Sequence, residues 1–309
     1  MTSSDSRPAA TVQDGQFITL ASGQRLHYAS AGDRAQPLAI FLHGFPQAWF
    51  AWEEQLALSG AQQFCVAPDL RGFNLSDKPT NIKDYRIDRL VNDIAELITG
   101  LRYEQADLIA HDWGGAVAWS TAIARPELIR KLMILNAPHP VPFARALATN
   151  ADQQAASQYM LDLRAPEAEA QLLADDCAAL LAKFRSERDQ WLTPAVADRY
   201  REAWQQPGAM TGALAYYRAS PLVPPTDAHP GAAALTLDPA QFMVKVPTTV
   251  LWGMQDRALR PVLMEGLDAL VPQLSVETID DASHWLLHEQ PERVAQSIAR
   301  FLAGESNGR

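Results

Sequence analysis

The sequence predicts an α/β fold, in which helices flank a mostly parallel central sheet, and three observations lead to this prediction. Short, continuous apolar runs recur along the chain, which is typical of strands buried on both faces of a parallel sheet. Helical patterns fall between these runs, and such alternation indicates parallel pairing. The alternation stops over a long helical stretch, residues 139–237, which we interpret as an insertion. The apolar runs span residues 38–42, 64–67, 106–110, 131–135 and 248–251.

The remaining elements follow from turn residues and from apolar periodicity. Residues 17–20 and 26–29 flank a turn at Gly23 and predict a hairpin of two strands. Residues 87–98 place their apolar side chains on one helical face, while residues 114–124 form an Ala-rich helix suited to close packing on a sheet. We therefore expect a flexible N-terminal tail (1–14), a first core segment (15–138), a helical insertion (139–237) and a second core segment (238–309).

Composition excludes several classes of protein. Apolar residues make up 48% of the chain and charged residues 20%, which is typical of globular proteins and not of disordered or fibrous ones. The net charge of −10 disfavours binding to nucleic acid or to anionic membranes. Cys65 and Cys177 are expected to be reduced, buried thiols. Without a secretory signal or an apolar stretch of ~20 residues, we expect a cytoplasmic protein, and nothing in the sequence calls for a metal or a cofactor.

Asp112 stands at the junction between a predicted strand and the Ala-rich helix. Small residues lie two positions before it, at Ala110, and two positions after it, at Gly114. This spacing is that of a nucleophile elbow, a sharp turn that lifts the central side chain clear of the backbone. A second interpretation, that Asp112 caps the following helix, is almost equally good on this segment alone.

Three further segments lie where predicted strands end. His43–Pro46 follows the strand 38–42, so the backbone N–H groups of Phe45 and Trp113 are candidates for an oxyanion hole. Asp256 follows the strand 248–251, and His284 follows the strand-like residues 276–279. Each alone has an ordinary interpretation, as a turn residue or a core histidine. Together, the chain order nucleophile, acid, histidine is that of an α/β-hydrolase triad.

Five parts of the chain match motifs of one known family: His43–Pro46, Asp69–Phe73 with Ser76–Pro79, His111–Gly115, Asp256 and His284–Trp285. Through these motifs, the chain from about residue 17 to 302 resembles the α/β-hydrolase-fold epoxide hydrolases and the related haloalkane dehalogenases. The resemblance implies an α/β-hydrolase fold with a helical cap at the insertion, and substrate contacts from His43, Pro46 and Trp113.

An aspartate nucleophile attacks a saturated carbon and leaves an ester on the enzyme, which argues against esterase, lipase or peptidase activity. In the hydrolysis of that ester, His284, oriented by Asp256, takes the proton of a water molecule. Two cap residues, Tyr159 and Tyr217, resemble the acids that open the epoxide ring in the family, although each could instead be part of the cap core. Tyr216, the neighbour of Tyr217, is interpreted as a packing residue.

Two other functions stay open at this point. A haloalkane or haloacid dehalogenase would use the same nucleophile, but Phe45 stands where many dehalogenases carry a halide-binding Asn. A cap tryptophan, Trp191 or Trp204, could bind the halide instead. The other function is a ligand-binding protein of the same fold that has lost its activity. The expected partners are a small apolar epoxide or haloalkane, water, and a second copy of the chain in a homodimer.

Overall fold

A computed structural model describes residues 9–185 and 188–304, and its strands form one twisted sheet. Each apolar run predicted from the sequence lies within one of these strands. The strands are β1 (Gln13–Thr19), β2 (Arg25–Ala31), β3 (Leu38–Leu42), β4 (Phe64–Pro68), β5 (Ala106–His111), β6 (Ile129–Leu135), β7 (Thr248–Gly253) and β8 (Leu274–Ile279).

The strand order in the sheet determines where a site can form. The order is β1-β2-β4-β3-β5-β6-β7-β8, with β2 antiparallel to its neighbours β1 and β4 and all other pairs parallel. The chain leaves β3 toward β4 on one side and later returns to β5 on the other. This reversal opens a crevice at the carboxyl ends of β3 and β5, where ligands bind in open α/β sheets.

Side chains of the central strands alternate between two apolar layers. In β3, Leu38, Ile40 and Leu42 belong to one buried cluster, whereas Ala39 and Phe41 belong to the cluster on the opposite face. This alternation follows from the period of two residues in a strand. Both layers are buried because helices cover both faces, which makes the sheet edge at the strand ends the part open to a ligand.

The helices divide into those that cover the sheet and those that lie between β6 and β7. The helices that cover the sheet are α1 (Glu53–Ser59), α2 (Ile87–Gly100), α3 (Asp112–Ala124), α10 (Leu286–Glu289) and α11 (Pro291–Ala303). The others are α4 (Pro140–Thr149), α5 (Ala151–Ala156), α6 (Tyr159–Asp162), α7 (Ala168–Lys183), α8 (Pro194–Trp204) and α9 (Ala209–Ala219). Short 3-10 turns complete the structure, at 49–52, 82–85, 126–128, 189–191, 231–234, 239–242 and 261–264.

The prediction of a flexible N-terminal tail over residues 1–14 is wrong at the C-terminal end of that range, where Ala10 and the start of β1 bond to the rest of the fold. The Ala10 N–H donates a hydrogen bond to the Ala57 carbonyl at 2.8 Å, and β1 already begins at Gln13. Residues 13–15 are exposed, so they carry no apolar pattern, and backbone pairing with β2 holds the strand. Residues 1–8 lie outside the described part of the chain.

Cys65 and Cys177 are both buried and free, as expected for reduced thiols. Within residues 9–185 and 188–304, no helix is long and apolar enough to cross a membrane.

Candidate active site

Asp112 is the first residue of α3 and adopts a left-handed backbone conformation, with φ of +49°. The turn is so tight that its neighbours must lack side chains. A Cβ atom on Gly44 would lie 2.3 Å from the Cβ of Asp112, and one on Gly114 would lie 2.4 Å from the Leu42 carbonyl oxygen. These contacts are shorter than van der Waals packing allows, which explains the small residues around Asp112 and makes the turn a nucleophile elbow.

The Asp112 carboxylate faces the loop after β3. Its Oδ1 accepts a hydrogen bond of 2.7 Å from the Phe45 N–H. The residue at the N-cap position of α3 is His111, so Asp112 does not have the capping role that the sequence left open. The Trp113 N–H is in the first turn of α3, where backbone donors have no partner within the helix. The Phe45 N–H therefore has the geometry expected of an oxyanion-hole donor, and the Trp113 N–H stays the second candidate.

The structure does not support the substrate-binding role predicted for His43. This residue is fully buried, and its Nδ1 lies 2.9 Å from the Gly44 carbonyl oxygen while its Nε2 accepts the Leu70 N–H at 3.0 Å. Both ring nitrogens are thus committed to the backbone, so His43 fixes the loop that carries Phe45. The two other predicted contacts, Pro46 and Trp113, each line a cavity at the site.

His284 and Asp256 lie beside Asp112. His284 Nε2 is 3.6 Å from Asp112 Oδ2, and His284 Nδ1 is 2.7 Å from Asp256 Oδ2. The other oxygen of Asp256 accepts the backbone N–H groups of Ala258 and Leu259 at 2.9 and 2.8 Å. The carboxyl ends of β5, β7 and β8 therefore bring the three predicted triad residues together.

Asn136 is a site residue that the sequence analysis missed. It follows β6 with φ of +37°, and its Nδ2 donates to the same Asp256 oxygen that binds His284, at 2.7 Å. Its Oδ1 accepts the Gly253 N–H at 2.7 Å. Asn136 therefore orients the acid of the triad. The signal that could have found it is its position immediately after a buried strand, at the same sheet edge.

The charges of the site stabilise one another. Burial alone would raise the pKa of Asp112, but the adjacent His284 outweighs it, so this pKa lies below its ordinary value. Burial would likewise lower the pKa of His284, but Asp256 and Asp112 raise it to about 10. At neutral pH, these shifts favour a carboxylate on Asp112 beside an imidazolium on His284.

Other histidines near the triad have structural roles. The His111 Nε2–H donates to the His284 carbonyl at 2.9 Å, which holds the loop of the triad histidine. His288 contacts the Gln47 amide at 2.8 Å and stacks on Trp191. Burial lowers the pKa of His288 to about 3, and this residue is not among the described residues that line the two cavities at Asp112, which favours His284 over His288 as the candidate base.

Two cavities meet at Asp112, Tyr159 and Tyr217. The apolar cavity has a volume of about 520 Å³, and its wall includes Trp113 and Phe143. The polar cavity has a volume of about 870 Å³ and is lined by His284 together with charged side chains. Among the residues that the structure describes, only Asp112 and the two tyrosines are shared by the lining of both cavities, so the predicted acids lie beside the predicted nucleophile.

The two phenols are held close together and remain neutral. Their ring centroids are 6.2 Å apart, and the Tyr217 ring also packs edge-on against Phe45 and Trp113. Burial raises the pKa of Tyr159 and of Tyr217, and the negative charge of Asp112 acts in the same direction. Tyr216 is buried and donates to the Arg71 carbonyl at 2.9 Å, as a packing residue would.

The cap tryptophans have structural contacts of their own. Trp204 Nε1–H donates to the Pro46 carbonyl at 2.5 Å, beside the oxyanion-hole loop. Trp191 stacks on His288 with ring centroids 4.1 Å apart. Among the described residues, neither indole lines the two cavities at Asp112.

Comparison with known proteins places this architecture in a family. Residues 37–291 match the model of the family described as α/β hydrolase fold. The chain is 39% identical over 293 residues to an AB hydrolase superfamily protein of Bacillus subtilis, YfhM, covering 94% of this chain and 98% of the relative. It is 35% identical to epoxide hydrolase 1 of Caenorhabditis elegans, covering 94% of this chain and 70% of the relative.

Solved structures of epoxide hydrolases are similar to this chain over most of its length. The epoxide hydrolase of Bacillus megaterium in complex with an inhibitor has a TM-score of 0.85 and 34% identity, with 93% of this chain and 100% of that chain covered. Epoxide hydrolase I of potato (Solanum tuberosum) has a TM-score of 0.78 and 25% identity, with 95% and 100% covered. The site belongs to an α/β-hydrolase-fold protein, and the chain is a member of the epoxide hydrolase family of that fold. The predictions of fold class and family are confirmed.

The coupling between Asp112 and His284 predicts a measurable shift. Replacing Asp112 with Asn removes a negative charge 3.6 Å from His284, so we expect the pKa of His284 to fall below about 10. An NMR titration of the imidazole measures this pKa. Asp198→Asn, a surface change in a residue paired with Arg201, is the control and is expected to leave the pKa unchanged.

The same coupling determines how stability depends on pH. The pKa of His284 is raised on folding, so its contribution to stability is complete below the ordinary value of 6.5 and is lost as the pH rises to about 10. Between pH 6.5 and about 10, the free energy of unfolding of the Asp112→Asn variant is expected to decrease less than that of the parent. A histidine that titrates at the same pH in both proteins would contradict the coupling.

Proposed function

We propose that the protein is an epoxide hydrolase that converts small apolar epoxides to vicinal diols through a covalent ester on Asp112. One observation carries the proposal: Asp112, Tyr159 and Tyr217 share the walls of both cavities, with His284 beside the nucleophile. An activated carboxylate and two neutral phenols are the groups that ring opening of an epoxide requires. We also propose that helices α4–α9 act as the cap that carries both acids.

In the first step, Asp112 opens the ring. Its Oδ2 attacks an epoxide carbon, the ring C–O bond breaks, and the electron pair of that bond moves to the oxygen. A phenol of Tyr159 or Tyr217 gives its proton to this oxygen, which becomes the first hydroxyl group. Because the phenols hold their protons at neutral pH, the acid is present in the form that the step needs.

In the second step, the ester is hydrolysed. Ester formation removes the negative charge of Asp112, and with it one of the interactions that raise the pKa of His284. His284 can then return a proton to the tyrosinate left by ring opening and become a neutral base. It takes a proton from water, which attacks the ester carbonyl, and the N–H groups of Phe45 and Trp113 hold the oxyanion.

The end of the cycle restores the starting state. When the tetrahedral intermediate collapses, the C–O bond to the substrate breaks, and the departing oxygen takes the proton of the new carboxyl group to form the second hydroxyl. Asp112 is again a carboxylate and His284 again an imidazolium. No proton is gained or lost over the cycle, so the reaction consumes only the epoxide and one water molecule.

The cavity walls favour apolar substrates. The wall of the apolar cavity is formed largely by aromatic and aliphatic side chains, including Phe143, Met160 and Leu222. The polar cavity reaches His284 and offers a path for water. A cytoplasmic location and a homodimer stay predictions from the sequence.

The dehalogenase alternative has less support. A halide leaves without a proton but needs N–H donors. Phe45 offers only its backbone N–H, which is bound to Asp112, and the Trp204 indole is bound to the Pro46 carbonyl. The two neutral phenols, in contrast, suit a leaving oxygen. A ligand-binding protein without activity would have no need for a paired imidazole and carboxylate beside an activated nucleophile.

Replacing His284 with Gln is expected to trap the ester. Without a base, water attacks too slowly, so Asp112 accumulates an adduct whose mass equals that of the epoxide. Mass spectrometry of the intact protein and of the peptide containing Asp112 measures it. The exposed His229 provides the control, and His229→Gln should turn over without an adduct. A folded His284→Gln variant that binds the epoxide but forms no adduct argues against the proposed role.

Removing both phenols is expected to abolish epoxide turnover. General-acid catalysis is worth roughly 10²–10⁴ in rate, so Tyr159→Phe or Tyr217→Phe alone should slow ring opening, because one donor remains. The double variant leaves the alkoxide without a donor but spares any release of halide from a haloalkane. Diol and halide are measured on a panel of an aryl epoxide, an aliphatic epoxide and a haloalkane.

The matched control for this experiment is Tyr103→Phe, which removes a surface phenol bound to the Arg34 carbonyl. It is expected to turn over epoxides like the parent. The dehalogenase alternative replaces the proposal if the double variant keeps near-normal epoxide turnover, or if the parent releases halide faster than it makes diol.

A further inference from the structure

Two arginine side chains join the segments that carry the phenols. Arg164, two residues after α6, donates from Nη1 to the Tyr217 carbonyl at 2.5 Å and to the Ser220 carbonyl at 2.9 Å. In the opposite direction, Arg218 of α9 donates from Nη2 to the Ala165 carbonyl at 3.0 Å. We call these three hydrogen bonds the arginine clasp. It connects the backbone of Tyr217 to the chain that follows Tyr159.

At the end of α9, a backbone carbonyl lacks its usual helical partner, and the Arg164 side chain supplies a donor. In a helix, the Tyr217 carbonyl would accept from the N–H four residues later, but that residue is Pro221, which has none. The last carbonyls of a helix also carry partial negative charge, which a cation stabilises. Burial lowers the pKa of Arg164, yet a guanidinium stays protonated at neutral pH and its planar fork can reach two acceptors.

The Tyr159 segment depends on such external support. α6 is only four residues long, and a helix of one turn has little stability of its own in water. Pro166 follows shortly after and prevents the chain from continuing α6 as a regular helix. Although Met160 and Leu163 are buried and anchor the segment, its direct polar links to the C-terminal part of α9 are those of the clasp.

The distance between the two phenols matters for ring opening. Both hydroxyl groups must reach one epoxide oxygen above Asp112, and their rings lie 6.2 Å apart at an angle of 78°. A misplacement of about 1 Å can cost on the order of 10²-fold in rate. A contact that fixes the backbone of Tyr217 relative to the Tyr159 segment therefore acts on this step and not on the attack of water.

We propose that Arg164 and Arg218 are positioning residues for ring opening, because the clasp sets the position of Tyr217 relative to Tyr159. This inference rests on the proposed function. Arg164 and Arg218 act through the tyrosines and are not among the residues that line the two cavities in the described part of the chain.

The test is Arg164→Met, examined by single-turnover kinetics with an aryl epoxide. The rate of ester formation is expected to fall by about ten- to a hundredfold, whereas the rate of ester hydrolysis stays within about threefold of the parent. Arg164→Lys keeps one cationic donor and should recover part of the loss. Arg218→Met should give a smaller decrease in the same step, since it removes one of the three hydrogen bonds.

Two controls separate positioning from a general loss of structure. Arg145→Met removes an exposed arginine that binds the Glu265 carbonyl at 2.7 Å, and it should leave both rates unchanged. In a Tyr217→Phe background, Arg164→Met should slow ester formation by less than about threefold, because the group it positions has already been removed. Thermal unfolding confirms that each variant is folded.

Equal losses in both steps, or an undiminished effect in the Tyr217→Phe background, would overturn the proposal. A crystal structure of Arg164→Met supplies a measurement that does not depend on activity, and it should show Tyr217 displaced relative to Tyr159. Unchanged phenol positions would also refute the clasp. If the parent makes no diol from any epoxide, the proposed function fails, and the crystal structure alone decides whether the clasp sets the phenol positions.

Discussion

The left-handed backbone of Asp112 is the constraint on which the rest of the site depends. A residue other than glycine in such a conformation costs on the order of 1–3 kcal/mol, so the surrounding fold must enforce it. β5 and α3 meet at this point, and Gly44 and Gly114 leave room where a single Cβ atom would collide. The result is a carboxylate lifted toward the Phe45 N–H and His284, instead of one folded back to cap its own helix.

Charge compensation links this geometry to the chemistry. In the resting site, Asp112 and Asp256 together raise the pKa of His284, and His284 in turn lowers that of Asp112. In the proposed reaction, this mutual dependence determines when His284 becomes a base, because the charge that keeps the imidazole protonated disappears when the ester forms. In this proposal, the same histidine is an ion-pair partner during ring opening and a base during hydrolysis. Asn136 keeps Asp256 aimed at the imidazole throughout, through its bond to the shared oxygen.

Much of the fold and of the triad could be predicted because the signals are local. A buried parallel strand is recognisable from its own few residues, and the elbow from the small residues at Ala110 and Gly114. Contacts between distant segments are not visible in this way. The resemblance predicts a substrate contact for His43, but a hydrogen bond from the Leu70 N–H gives this residue a structural role. Asn136 and Arg164 form hydrogen bonds with partners 120 and 53 residues away along the chain. The first residues of β1 carry no strand pattern in the sequence, because an exposed edge strand is held by backbone pairing and needs no apolar side chains.

The central claim is that Asp112 becomes covalently bound to substrate, and oxygen labelling tests it most directly. The protein is turned over once, in excess over an aryl epoxide, in water enriched in ¹⁸O. Water attacks the ester carbonyl, so the label is predicted to enter the Asp112 carboxylate, visible in the mass of its peptide. It should then move into the diol formed in a second turnover in ordinary water. A peptide without label, with all of the diol oxygen drawn directly from the solvent, would contradict the account, because water would then attack the epoxide itself.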